Sequence, residues 1–257
     1  MSVALITGAS KGIGKSIAEI LAKKKINVLL VARSESLLQQ QVSYLSTTYH
    51  IQADYLVIDL ATDGASQKIV DWCLERKYSI DILVNNAGYG LSGAFEKYSI
   101  PDYKDMMQVN MTVPIELCKL LIPWLSQQPR AYILNIASSA AYQAVPGMSI
   151  YAATKSFIVS FSRGLRFELR NSSISVTAVS PGATDTNFPD RANVGEKARK
   201  TAAKVNMSPE EVAGIAVKAM FNKKAEVIIG IINKASTFMA WLLPKRWVEK
   251  IAAGIYE

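Results

Sequence analysis

Short apolar runs separated by longer stretches of helical spacing recur along most of the 257 residues. The runs are V-A-L-I-T from Val3, N-V-L-L-V from Asn27, Y-L-V-I-D from Tyr55, D-I-L-V-N from Asp81, Y-I-L-N-I from Tyr132, S-V-T-A-V from Ser175 and V-I-I-G from Val227. They are nearly continuous in β-branched residues and leucine, the pattern of strands buried on both faces of a parallel sheet. The rhythm predicts an α/β fold: a Rossmann-like, doubly wound, seven-stranded parallel sheet with helices on both faces. No internal repeat, low-complexity tract or linker interrupts it, so residues 1–257 read as a single domain.

The end of the chain breaks this pattern. Thr237 to Tyr256 is apolar and aromatic but interrupted by Pro244 and several charges, which excludes a simple membrane span. Trp247, Ile251 and Ile255 recur one helical turn apart, so residues 236–257 read as an amphipathic C-terminal extension. Packing within the protein or its oligomer is the expectation for this stripe, with contact to a membrane surface the less favoured alternative.

Charge and composition narrow the classes. Half the residues are hydrophobic, enough for a sizeable core. Cys73 and Cys118 lack the spacing of a disulfide framework or zinc site, so a reducing compartment and no metal are expected. No signal peptide is read before Val3, and the expected location is the cytoplasm. His50 is the only histidine and sits in a polar run, without the G-x-S-x-G elbow of a serine hydrolase. The formal charge is +8, and the segment from Arg191 onward carries 12 Lys and Arg against 6 Asp and Glu. With no aromatic-basic ribbon or recognised binding module, a solvated basic face is expected in place of nucleic-acid binding.

Three stretches carry candidate chemistry. T-G-A-S-K-G-I-G follows the first strand and places Gly8, Ser10, Lys11, Gly12, Ile13 and Gly14 at a strand-to-helix turn. There, glycines let the backbone approach a pyrophosphate, and the helix N-terminus offers unsatisfied N–H groups. The second strand ends V-A-R-S, so Arg33, with Lys11 nearby, stands where an acidic residue would select a free ribose hydroxyl. The cofactor predicted is NADP(H). In Y-A-A-T-K, Tyr151 and Lys155 are four apart, on one face of a helix, an arrangement also common on solvated helices. Pro114 follows Asn110 by four positions inside a helical stretch, and its ring and missing N–H should turn the Asn110 carbonyl out of the helical ladder.

Taken together, T-G-A-S-K-G-I-G, Asp59, N-N-A-G (Asn85 to Gly88), Asn110, Ser138, Y-A-A-T-K and P-G-A-T-D-T (Pro181 to Thr186) resemble the short-chain dehydrogenase/reductases over nearly the whole chain. The resemblance implies that Asp59 contacts adenine, that Asn86, Ala87 and Gly88 line the cofactor, and that Pro181, Gly182, Thr184 and Thr186 hold its carboxamide. Thr184 departs from the family, which usually has an aliphatic residue there. Catalysis would fall to Tyr151 as general acid/base and to Lys155, lowering its pKa and binding ribose. Ser138, 13 residues before the tyrosine, would orient the carbonyl, and Asn110 would support a proton relay. The implied activity is an NADPH-dependent carbonyl reductase, or the reverse alcohol dehydrogenase, on a small, fairly apolar substrate. Steroid-like, acyl-thioester and xenobiotic carbonyls stay open. Tyr89, Leu91, Tyr142, Val145, Met148, Phe188 and the tail are candidate pocket walls. A homodimer or homotetramer built on the helices carrying Asn110 and Tyr151 is implied too. The alternative is an NADP(H)-binding sensor or scaffold without turnover.

Overall fold

The computed structural model describes residues 2–186, 188–196, 199 and 206–256, except the side chains of 255 and 256. Seven strands run parallel: β1 (Val3–Thr7), β2 (Asn27–Ala32), β3 (Ala53–Val57), β4 (Ile82–Asn85), β5 (Ala131–Ile136), β6 (Ile174–Ser180) and β7 (Glu226–Ile228). Their order across the sheet is β3-β2-β1-β4-β5-β6-β7. The expected doubly wound architecture is therefore the observed one.

Successive strand residues point to opposite faces, and both faces are covered. In β1, Ala4 and Ile6 enter the cluster beneath α1 (Gly12–Lys23), α2 (Glu35–Tyr49) and the later helix α8 (Pro209–Phe221). Val3 and Leu5 enter the opposite cluster, with α3 (Ala65–Glu75) and α5 (Val113–Leu125). This two-sided burial explains the unbroken apolar runs.

One strand is displaced from its expected place: β3 spans 53–57, not 55–59. As the sheet's edge it pairs with β2, from Ala53 beside Val28 to Val57 beside Ala32, and it is half-buried as far as the exposed Val57. Asp54 can lie inside it because its carboxylate accepts from the Tyr78 hydroxyl at 2.5 Å and faces Arg76 at 3.4 Å. Register with β2 decided the boundary, and apolarity was a poor guide at a solvated edge.

The chain winds outward from β1 through β2 to β3, then crosses to β4 on the other side of β1. Strand order reverses between β1 and β4, and the crevice beyond their carboxyl ends is where doubly wound sheets bind ligands. Gly8 follows β1 there and Asn86 follows β4. The helix carrying Asn110 is interrupted, as Pro114 requires. Between α4 (Ile100–Met107) and α5 lies a π turn, Gln108–Thr112, in which the Val113 N–H reaches Gln108 O. The long helix α6 (Ser149–Glu168) follows β5, and the short α7 (Phe188–Arg191) follows β6.

The C-terminal extension begins earlier than expected and forms two helices, α9 (Ile231–Leu242) and α10 (Lys245–Tyr256), separated at Pro244. Among the described residues, packing of the stripe within the chain is not found. Trp247 and Ile251 are more than half exposed, and the Ile255 side chain lies outside the described residues. Among the described residues no helix is long and apolar enough to cross a membrane.

Candidate active site

A cavity of about 840 Å³ opens at the reversal of strand order. Its floor is the glycine turn. Gly8 and Gly12 have φ of 66° and 54°, the left-handed region that favours glycine. A Cβ on Gly8 would stand 2.8 Å from Ala87 Cα, and one on Gly14 would collide with Asn86 Nδ2 and the Gly8 carbonyl. The Asn86 amide donates to Thr7 O at 2.9 Å and Gly8 O at 3.1 Å, while the Thr7 hydroxyl accepts from both Asn86 and Ala87 N–H at 3.1 Å. The turn after β1 is thus locked to the turn after β4.

Gly8, Ser10, Lys11, Gly12, Ile13, Asn86, Ala87 and Gly88 all line this cavity. Gly14 does not; it lets the two turns close behind the wall. Lys11 stands exposed just before α1, and Arg33 faces Asp59 across 3.5 Å with both side chains about half exposed. Such a solvated pair contributes little to stability. It leaves two cations at the rim where β2 ends.

Tyr151 and Lys155 lie on the inward face of α6, both buried and both lining the cavity. The solvated-helix alternative does not apply. Lys155 Nζ donates to the Ile136 carbonyl at 2.9 Å and stands 5.9 Å from the centre of the Tyr151 ring. Burial away from water pushes its pKa down to about 8. Ser138 opens the turn after β5, where its Oγ accepts from Ala140 N–H at 3.1 Å and retains its own proton to donate. It faces the same cavity, as does its neighbour Ser139.

Asn110 is brought near these groups but stays behind the wall. Its amide donates to Tyr89 O at 2.9 Å and Thr154 Oγ1 at 3.1 Å, and its Oδ1 accepts from Tyr89 N–H at 3.0 Å. A Cβ on Gly88 would sit 3.1 Å from both Asn110 Oδ1 and Lys155 Nζ, a tight contact that would push on both side chains. The Asn110 side chain is a brace between the π turn, the Tyr89 backbone and α6.

The opposite wall is the segment after β6. Pro181, Gly182, Thr184 and Thr186 line it, with the Thr184 hydroxyl donating to Gly182 O at 3.2 Å and Thr186 accepting from Phe188 N–H at 3.2 Å. Both threonine hydroxyls shape their own loop. Of the expected apolar walls, Met148 and Phe188 face the cavity, and Phe188 packs 5.2 Å from the Tyr151 ring. Tyr142 does not face it. Its hydroxyl is held at 2.9 Å from Ser180 Oγ and donates to Glu226 at 2.6 Å, tying the turn after β5 to β6 and β7. Tyr89, Leu91 and Val145 pack around the wall, and among the described residues α9 and α10 contribute no lining residue.

Arg191 was not anticipated. It lines the cavity from the end of α7, with its guanidinium 4.0 Å above the Tyr89 ring. Burial and the nearby charge of Arg33 both depress its pKa, and among the described residues no carboxylate lies in salt-bridge range of it. The Arg191 side chain is nonetheless exposed at the cavity wall, and a cation there without a carboxylate attracts an anion entering the cavity. In sequence it is one arginine of F-P-D-R in an irregular stretch, and only its distant partner Tyr89 gives it direction.

Comparisons with known proteins agree with this arrangement. The family model described as short chain dehydrogenase matches residues 2–197. The chain is 31% identical to the ketoacyl reductase HetN of Nostoc, over 88% of this chain and 77% of that protein. Among solved structures it is similar to a short-chain dehydrogenase from Sphingobium yanoikuyae in complex with NADPH, at 29% identity and a TM-score of 0.83 over 94% of both chains. A short-chain dehydrogenase/reductase from Burkholderia phymatum in complex with NAD shares the fold at 23% identity, TM-score 0.84, covering 94% of this chain and 93% of that one. By its family model, its relatives and its fold, the chain belongs to the short-chain dehydrogenase family of oxidoreductases.

Proposed function

We propose that the chain is an NADP(H)-dependent oxidoreductase acting between a carbonyl compound and its alcohol, with Tyr151 as the proton donor and acceptor. The observation that carries this reading is the buried Tyr151–Lys155 pair facing, with Ser138, a cavity at the strand-order reversal. The cavity suits a dinucleotide: its floor admits no Cβ at Gly8, and Lys11, Arg33 and Arg191 stand around it. When bound, the nicotinamide supplies or accepts the hydride.

The chain's own residues then handle the proton and the oxygen. Lowering a phenol from pKa about 10 to about 7 requires roughly 4 kcal/mol of preferential phenolate stabilisation. With the 5.9 Å from Lys155 Nζ to the Tyr151 ring centre standing in for the charge separation, an ammonium at an effective dielectric near 20 would supply about 3 kcal/mol, most of it. Lys155 is mostly protonated at neutral pH, since its depressed pKa of about 8 still lies above 7. The Ser138 proton is placed to meet negative charge developing on a carbonyl oxygen. In this reading the π turn before Pro114 gives the relay its local cause, because a proline cannot return a hydrogen bond to the Asn110 carbonyl. The Asn110 amide ties α6 to the Tyr89 backbone in the loop after β4.

The preference for the 2'-phosphorylated cofactor rests on Arg33 and Lys11, with Arg191 as a third cation on the same anion. No acidic residue stands at the end of β2: Glu35 lies in the first turn of α2, where the helix dipole accounts for it, and Asp59 is turned toward Arg33. Arg33→Asp with Lys11→Ala should weaken NADPH by about 100-fold, the loss of one or two charge-assisted hydrogen bonds, and NADH far less. Fluorescence titration of both cofactors checks this; equal losses would refute the assignment. NADPH absorbance followed against ketones, aldehydes and β-ketoacyl thioesters identifies the substrate class, and the name of the Nostoc relative puts the last group first. Ile115 on α5 and Phe167 on α6, both exposed, are consistent with a homo-oligomer built on those helices.

A further inference from the structure

We propose that α9 and α10 form a docking surface for an anionic lipid membrane. α9 is apolar over most of its length yet contains no buried residue. Ile231 is 84% exposed and Trp241 78%, and Ile232, Phe238 and Leu242 are also mostly in water. α10 continues the surface with Trp247, 61% exposed, and Ile251. Ile231, Ile232, Phe238, Met239 and Leu242 share one side of α9, opposite Asn233, Lys234, Ser236 and Thr237, and an amphipathic helix whose apolar side faces water normally meets a core, a partner or a lipid phase.

The surface is built and held in place. Asn233 donates to the Ile229 carbonyl at 2.7 Å and fills the space that a side chain on Gly182 would need. In α10, Ala252 is buried and Val248 half-buried, so one side of that helix is turned from water. The exposed side chains of α9 are therefore presented by an anchored helix, beside the loop that borders the cavity.

Charge selects the occupant. Lys234, Lys245, Arg246 and Lys250 accompany the apolar residues, against Glu249 alone among the described residues of the two helices. A two-fold contact between copies of this chain would set that basic row against itself without an acidic complement. Tryptophan, aliphatic residues and a lysine-arginine fringe are what an interfacial helix presents to anionic headgroups.

Cosedimentation of the full chain with phosphatidylglycerol-rich and pure phosphatidylcholine vesicles tests this, without cofactor or turnover, and so independently of the reductase reading. Binding to the anionic vesicles should exceed binding to the neutral ones, fall with added salt, and weaken on the order of 100-fold in Lys245→Gln/Arg246→Gln/Lys250→Gln, about fivefold per cation. Trp241→Ser/Trp247→Ser should abolish it. Should a variant misfold, quenching of wild-type tryptophan emission by brominated phosphatidylglycerol, expected at vesicle-binding concentrations, decides. Absence of binding and quenching, equal binding to both vesicles, or a tryptophan variant that breaks up a dimer while leaving sedimentation unchanged would each overturn the proposal.

Discussion

The cavity at the strand-order reversal and the pair of helices at the C-terminus are opposite solutions for placing apolar and polar groups. Around the cavity, polar side chains are buried or half-buried and engaged: Asn86 on two carbonyls, Asn110 on Tyr89 and Thr154, Lys155 on Ile136. In α9 and α10 large apolar side chains stand in water and few hydrogen bonds leave the helices. Buried polar groups of the first kind cost stability unless they are satisfied, and they persist where a site needs them. Exposed apolar groups of the second kind need something outside the chain to cover them. The difference teaches where function resides in each region: in a few satisfied atoms inside, and in an unsatisfied area outside.

That contrast can be broken in three ways, the largest first. Lys155 is buried with a pKa near 8, whereas an unfolded lysine keeps the ordinary value of about 10.5. Below pH 8 both forms are charged and the burial penalty is fully felt. Between pH 8 and 10.5 the unfolded chain holds the proton that the folded one has lost, so folding stability rises with pH. Denaturant melts of cofactor-free wild type and Lys155→Met across that window should show their stability difference changing by roughly 3 kcal/mol in favour of wild type. A difference flat in pH would mean that Lys155 is solvated.

Gly14→Ala probes the lock between the two turns. The new methyl would collide with the Asn86 amide and the Gly8 carbonyl, and relieving it should cost about 1–3 kcal/mol, with NADPH affinity lost as well. Unchanged melting and cofactor binding would show that the turns are not coupled. The smallest effect is expected at the other region. Trp241→Ser with Trp247→Ser should leave vesicle-free stability within about 0.5 kcal/mol, because neither ring is buried. A large drop in a monomeric preparation would place these rings in a core.

Much of this was legible in the sequence, for physical reasons that differ by element. The sheet was readable because strands buried on both faces are apolar at most positions, and the edge strand β3, partly in solvent, is where that logic slipped by two residues. The glycine turn was readable because Gly8 and Gly12 adopt a backbone that favours no other residue. Tyr142 misled because a tyrosine near a pocket reads as a wall, whereas Glu226, far along the chain, takes its hydroxyl. Arg191 was missed because its meaning lies in Tyr89 and Arg33, to which no local pattern connects it. The helical stripe of the tail was visible, but periodicity says which residues share a face and not what the face meets.

The central claim is that Tyr151 moves the proton, and its most direct test is Tyr151→Phe, assayed for NADPH affinity and for turnover on any substrate the wild type accepts. The ring and its packing against Phe188 survive this change while the hydroxyl is removed. The account predicts affinity within a few-fold of wild type and a turnover lower by about 100- to 10,000-fold, the usual contribution of a positioned acid or base. Undiminished turnover with intact affinity would contradict it and assign the proton to another group.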